Sequence, residues 1–418
     1  MNDGASTGAD RYPGRVPPAG PLTGVKVIEL AGLGPGQWGG MLLSDLGAEV
    51  LRVSRPSDVG TVRSDLGAQE GRGPAFVHDR GRRSIAIDLK SPEGRDALLD
   101  LVEEADVLFE GNRPGVTERL GIGPDDCLAR NPRLVYARAT GWGQDGPMAA
   151  DVGHDLNYLA VSGMLSAIGP RNGPPSVPLN LLGDFGGGGA LLIIGILAAL
   201  LEARTNGRGQ VVDAGMLDGI LLLGSLFYGQ RQVGMMRAER ESNMLDGGAP
   251  FYAVYETADG GWMAVAPIER KFYAEFLDVL GLGSELLDVQ WDTATWASTK
   301  ERYAEIFRGR TRSQWEEDFS GREACVTPVL DIDEALQQPH MRARHSFVRN
   351  DGVLQPAPFP RFSRTPGRIQ GPAIPAGADT RAALADWGID ETSIERLLAS
   401  GAVIDNPQPA EPQSSGED

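Results

Sequence analysis

The chain has 418 residues, enough for two or three domains at about 100–200 residues each. Hydrophobic residues make up 41%, which supplies sizeable cores. A formal net charge of −18 excludes non-specific nucleic-acid binding and docking on anionic lipid, which both need surface lysines and arginines.

An anionic ligand must therefore be held by a local basic patch. The two cysteines, Cys127 and Cys325, stand far apart with no CxxC pattern, so neither a disulfide framework nor a metal site is expected. No charged-then-apolar leader opens the chain. The most apolar stretch, residues 190–201, is shorter than the roughly 20 residues a bilayer needs. A cytoplasmic protein with no membrane partner is expected.

Residues 1–20 are rich in Gly, Pro, Ala and Asp and read as a flexible tail. A strand is predicted over 25–30 (VKVIEL), then a glycine-rich turn, a helix over 38–46 and a strand over 49–53. Further strands fall at 84–88, 107–109 and 134–138, with an amphipathic helix over 92–105. Strands alternating with helices define an α/β fold with a parallel, doubly wound sheet. Residues 184–203 read as a glycine-rich turn feeding a buried apolar helix.

The large domain is expected over 21–220 and a linker over 221–241. A smaller α+β domain follows over 242–327. Its strands, 251–257 and 262–266, are joined by Ala-Asp-Gly-Gly, a hairpin signal, and its helices are 271–282, 299–308 and 312–319. Residues 328–402 return to complete the large domain, with one or two helices over 381–398, before an acidic flexible tail over 403–418.

Gly34-Pro-Gly36-Gln-Trp-Gly39 satisfies G-x-G-x-x-G between a strand and a helix, the setting of a dinucleotide site. The acidic residue expected at the end of the second strand is replaced by Ser54 and Arg55. An arginine there suits a ribose phosphate, as in NADP or in the 3′-phosphate of CoA. Pro35 removes one donor from the loop, and a tight turn packing helix on strand explains the glycines equally well. The strip Arg80-Gly-Arg82-Arg83, Lys90 and Arg113 add positive charge. They read either as a solvated face or as an anion site.

Several motifs in order carry a resemblance. They are Gly153-His-Asp-Leu-Asn-Tyr158, Pro178-Leu-Asn-Leu-Leu-Gly-Asp184-Phe-Gly-Gly-Gly188, Asn243-Met-Leu-Asp-Gly-Gly-Ala-Pro-Phe-Tyr252 and Ala266-Pro-Ile-Glu269 with Phe272-Tyr273. Over about residues 21–402 the chain resembles the class III CoA-transferase family, and within it the branch that racemises 2-methylacyl-CoA thioesters. The resemblance implies a large Rossmann-like domain, a small domain and an interlocked homodimer. It also implies an acyl-CoA thioester as substrate. No separate cofactor is implied, because CoA enters as part of the substrate.

Racemisation needs one group on each side of C2, one acting as base while the other acts as acid. The resemblance assigns these roles to His154 and Asp184, with Glu269 orienting the histidine ring. His154 has a near-neutral side chain suited to proton transfer, although a structural histidine fits the same turn. Asp184 precedes a run of glycines at the start of a helix, where an N-cap aspartate also fits. Glu269 is followed by Arg270-Lys271 where the family pattern suggests Pro-Gln.

By resemblance Arg55, Ile87, Asp88, Leu89 and Lys90 hold the adenosine and its 3′-phosphate, and Arg113 the other phosphates. Gly153, Asp155, Leu156, Asn157 and Tyr158 shape the pocket. Asn243 and Asp246 anchor a small-domain loop, and Met244 and Leu245 line an apolar path or belong to the core. The alternatives are a CoA-transferase using Asp184 as nucleophile, an NADP-dependent oxidoreductase, and a non-catalytic CoA-binding protein.

Overall fold

The computed structural model describes residues 16–32, 34–61 and 76–406. The segment 62–75, to which the sequence assigns no role, and most of both expected tails lie outside the described residues.

The chain divides into two units. One comprises residues 1–159, 180–223 and 344–418, and the other 160–179 and 224–343. The larger unit is built on six parallel strands: β1 (Lys26–Leu30), β2 (Glu49–Ser54), β3 (Arg83–Ile87), β4 (Val107–Glu110), β5 (Val135–Thr140) and β6 (Gln210–Gly215). Their order is β3-β2-β1-β4-β5-β6, the doubly wound order that reverses direction between β1 and β4.

Alternation along the strands divides the core. Ile28, Leu51, Ile85, Leu108 and Tyr136 face one layer, with Leu98 and Leu101 of helix Pro92–Glu103. Val27, Val50, Val107 and Val135 face the other, with Leu43 of helix Pro35–Asp45 and Ile196 of helix Leu191–Asn206.

The smaller unit packs three antiparallel strands, β7 (Ala253–Glu256), β8 (Trp262–Val265) and β9 (Val326–Pro328), in the order β7-β8-β9. Against them lie helices Arg270–Val279, Trp296–Phe307 and Arg312–Phe319 around an aromatic core of Phe251, Tyr255, Tyr273, Phe276, Tyr303, Phe307, Trp315 and Phe319. The hairpin closes as expected: the Thr257 amide donates to the Gly261 carbonyl at 2.9 Å, and Gly260 takes a left-handed φ of +75°.

Four expectations are corrected. Residues 328–343 belong to the smaller unit, as do 160–179, so neither boundary falls where composition placed it. Val403–Ile404 is not tail. It forms an edge strand antiparallel to β3, with Val403 opposite Ile87. β6 escapes the sequence reading because it is an edge strand whose Gln210, Val211 and Asp213 are exposed, which dilutes the apolar run.

The fourth concerns the glycine run. Residues Leu181–Ala190 are not a turn but a π-helical stretch continuous with helix Leu191–Asn206. The whole segment, Leu181–Asn206, is long and apolar enough to cross a bilayer by length and composition alone. Shortness is therefore not what marks it as a core helix. Its Leu192, Ile196, Ala199 and Ala203 pack on the sheet.

Candidate active site

In a parallel sheet the loops after the strands share one edge, and the strand-order switch point opens a crevice there. In the larger unit Gly34 follows β1, Arg55 follows β2, Asp88–Lys90 follows β3, Arg113 follows β4 and Gly141–Trp142 follows β5. Apart from Arg80, Arg82 and Arg83, which precede or open β3 at its amino end, the large-unit residues singled out for chemistry lie at or after the carboxyl ends of the strands.

Asp184 lies in the first turn of the long helix, four residues past its N-cap position, Asn180. The N-cap reading is therefore overturned. A π-helical stretch of this kind commonly marks a functional site. The Asn180 side-chain amide donates to Asp184 Oδ2 at 3.1 Å. Gly34, with φ +59°, lies so close that a Cβ there would stand 3.2 Å from Asp184 Oδ2. The glycine turn therefore presents its backbone to a carboxylate. A pyrophosphate at this helix N-terminus would meet that negative charge, which argues against the nicotinamide reading. Gly187 abuts the backbone of Gly219 in helix Met216–Leu223, and a Cβ on Gly188 would meet Met216 and Pro35. These glycines serve close helix packing.

His154 immediately precedes helix Asp155–Ser162. Its backbone is pinned reciprocally: its amide donates to Asn157 Oδ1 at 3.0 Å, and the Asn157 amide donates to its carbonyl at 2.8 Å. Its imidazole is exposed. Tyr158 is buried, donates its hydroxyl to the Gly153 carbonyl at 2.5 Å and packs edge-on against Trp142, 4.7 Å between centroids. Burial first, then the negative charges of Asp184 and Asp155, raise the Tyr158 phenol above its ordinary value.

Asp155 joins the two halves. It is buried, and its Oδ2 accepts the amides of Gly183 at 2.7 Å and Asp184 at 2.8 Å. Expected to shape the pocket, it fixes the backbone of Asp184 to the residue after His154. His154 and Asp184, 30 positions apart in sequence, are thereby neighbours in one unit.

The expected CoA contacts divide. Arg55, Lys90 and Arg113 are exposed at the carboxyl edge. The Arg113 turn is held by Glu110, whose Oε2 accepts the Asn112 amide at 2.5 Å. The Asp88 side chain closes the Asp88–Lys90 turn by accepting the Lys90 amide at 3.0 Å. The Ile87 side chain is buried in the core, so it offers a ligand no side-chain contact. Leu89 is half-buried against that same core.

The basic strip is a correction. Arg80 pairs with Asp45 at 2.5 Å, Arg82 with Glu29 at 2.9 Å and Arg83 with Asp386 at 2.8 Å. Arg80 and Arg82 are fully buried, so neither meets a soluble anion.

In the smaller unit Glu269 is exposed at the N-cap of helix Arg270–Val279 without a side-chain capping bond. The departure beside it has a local role: Arg270 pairs with Asp288 at 2.8 Å. Cys325, with φ +49°, lies near enough that the Glu269 charge, after burial, raises its thiol. Asp246 accepts the amides of Asn243 at 2.8 Å and Gly248 at 3.1 Å, the loop anchor expected of this pair. Met244 packs on the aromatic core.

The profile of CoA-transferase family III matches residues 22–380, and the chain belongs to that family. An alpha-methylacyl-CoA racemase of Mus musculus is 45% identical over 378 residues, covering 90% of this chain and 96% of the mouse protein. Its Homo sapiens counterpart is 40% identical over 393 residues, covering 92% and 98%. Succinyl-CoA–D-citramalate CoA-transferase of Chloroflexus aurantiacus is 30% identical over 409 residues, covering 92% and 99%. The crystal structure of Rv3272 from M. tuberculosis aligns with a TM-score of 0.72 at 25% identity, covering 87% of this chain and 98% of that one.

Proposed function

We propose that this protein racemises 2-methylacyl-CoA thioesters. A base removes the C2 proton, the C–H electron pair moves toward the thioester oxygen to give an enolate, and an acid returns a proton to the opposite face. The observation that carries this reading is the Asp155 bridge, which ties the Asp184 backbone to the residue after His154. A transferase nucleophile needs no second proton-transfer group at that place. The identity to the two racemases supports the same assignment.

His154 and Asp184 are the two proton-transfer groups. Asp184 lies in the first turn of a helix spanning Leu181–Asn206, whose N-terminal dipole favours charge developing on the thioester oxygen. Arg55, Lys90 and Arg113 hold the CoA phosphates. Gly153, Asn157 and Tyr158 fix the His154 turn, and Leu156 lines the pocket. Glu269 orients the imidazole, and the working form is a homodimer. The exposed Leu181, Ile194, Leu201 and Leu222 of the larger unit support a second copy as partner.

The test is to incubate the protein with (R)- and with (S)-2-methylacyl-CoA in deuterated water without a carboxylate acceptor. Both isomers should converge to one mixture carrying deuterium at C2. His154→Ala and Asp184→Asn should each slow this by about 10²–10⁴-fold. No exchange, but CoA transfer once a carboxylate acceptor is added, would overturn the reading and make Asp184 the nucleophile of a transferase.

A further inference from the structure

Phe185, the residue after Asp184, is gripped from two sides. The ring of Trp38 lies 5.9 Å from it and the imidazole of His78 packs edge-on at 5.2 Å, with an interplanar angle of 89°. His78 lies outside every motif singled out in the sequence, and Trp38 belongs to the Gly34–Gly39 glycine turn. Arg82 joins the two sides. One guanidinium nitrogen donates to the carbonyl of His78 itself, and another donates to the carbonyl of Gln37, the residue before Trp38.

The same guanidinium is anchored to β1 through Glu29, at 2.9 Å from Nε and 3.3 Å from Nη2. Trp38 donates its amide to the Gly34 carbonyl, so it stands one helical turn from the glycine against which the Asp184 carboxylate rests. A bulky side chain cannot enter between Glu29 and Arg82 on the helix side, because Gly40 occupies that place. The charge pair, two backbone carbonyls and three rings thus form one continuous support that ends on Asp184. Among the described residues, no hydrogen bond or ring contact joins this support to His154.

We infer that His78 and Trp38, held by Arg82, form a positioning clamp on Phe185 that sets the Asp184 carboxylate for its proton transfer. The clamp acts on one face of C2 only. Its members are positioning residues, since they reach the substrate only through Asp184. A displacement of about 1 Å at a reacting group costs up to about 10²-fold in rate, so loss of one jaw should be felt at Asp184 before it is felt in folding.

This inference rests on the racemase reading, and the experiment separates the two. C2 deuterium exchange is measured in His154→Ala, where Asp184 is the remaining proton-transfer group, and in Asp184→Asn, where His154 remains. His78→Ala is then added to each. The expected result is a further loss of about tenfold in the His154→Ala protein and a change of less than about twofold in the Asp184→Asn protein. Equal losses in both, or none in either, overturn the clamp while leaving the racemase reading intact. Absence of exchange in the parent protein overturns the racemase reading and the clamp with it.

A second measurement uses single variants in the otherwise native chain. His78→Ala should lower kcat for racemisation with KM unchanged, and His78→Phe, which restores an aromatic jaw, should recover it. A rise in KM with kcat unchanged, or no recovery with phenylalanine, overturns the inference.

Discussion

Two groups of cations in the larger unit look alike in sequence and do opposite work. Arg80, Arg82 and Arg52 are buried, at 2%, 1% and 4% exposure, and each faces a buried carboxylate: Asp45, Glu29 and Asp79 respectively. Arg55, Lys90 and Arg113 stand exposed on turns at the carboxyl ends of β2, β3 and β4. Among the described residues, what separates the groups is the carboxylate that another element brings to the first and not to the second. A cation already matched inside the protein stiffens the scaffold, and a cation left on the sheet's carboxyl edge is available to a phosphate.

The largest expected effect follows from breaking a member of the buried group. Arg82→Met leaves Glu29 as an uncompensated charge whose carboxyl burial already pushes above its ordinary value. Removing one partner of a buried pair costs about 3–5 kcal/mol, which a urea titration would read directly. A loss below about 1 kcal/mol would put Arg82 with the surface cations instead.

Gly40→Ala tests the same pair sterically, because the new Cβ would meet Glu29 and Arg82. Overpacking of this kind costs about 1–3 kcal/mol, and the structure would have to part the ion pair to relieve it. The exposed group should respond the other way. Arg113→Ala should leave stability within about 0.5 kcal/mol and raise KM for acyl-CoA by about tenfold, the worth of one charge-assisted hydrogen bond. A drop in stability with KM unchanged would move Arg113 into the scaffold.

Legibility in the sequence follows the range of the interactions. Strands β1 to β5 were readable because each is a short apolar run bounded by turn residues, and the small unit's hairpin because Ala258-Asp-Gly-Gly261 dictates its own turn. The chemistry at His154 and Asp184 was readable only through motif resemblance, since a histidine in a turn and an aspartate before glycines each have an ordinary structural use. What stayed hidden was long-range pairing. Nothing local to Arg82 announces Glu29, 53 positions away, and nothing local to Asp155 announces the amides of Gly183 and Asp184. The π-helical form of Leu181–Ala190 was hidden for the same reason, because it rests on the facing Gly219, Pro35 and Trp38.

The smallest expected effect lies where the buried group of charges meets a titratable ring. Burial first, then the cations of Arg82 and Arg80, hold the His78 imidazole below its ordinary value of 6.5, with Asp79 opposing them. The folded state therefore disfavours a protonated His78 relative to the unfolded chain. Its contribution to stability is fully present above pH 6.5 and declines as pH falls toward the lowered folded value. In His78→Phe this dependence is removed while the edge contact with Phe185 is kept. Urea midpoints measured at about pH 7.5 and about pH 5.5 should therefore fall more steeply for the native chain than for His78→Phe, with the two converging at the higher pH. Equal slopes would mean that His78 titrates alike folded and unfolded, and that the buried arginines beside it are too well neutralised by Glu29 and Asp45 to act on a neighbouring ring.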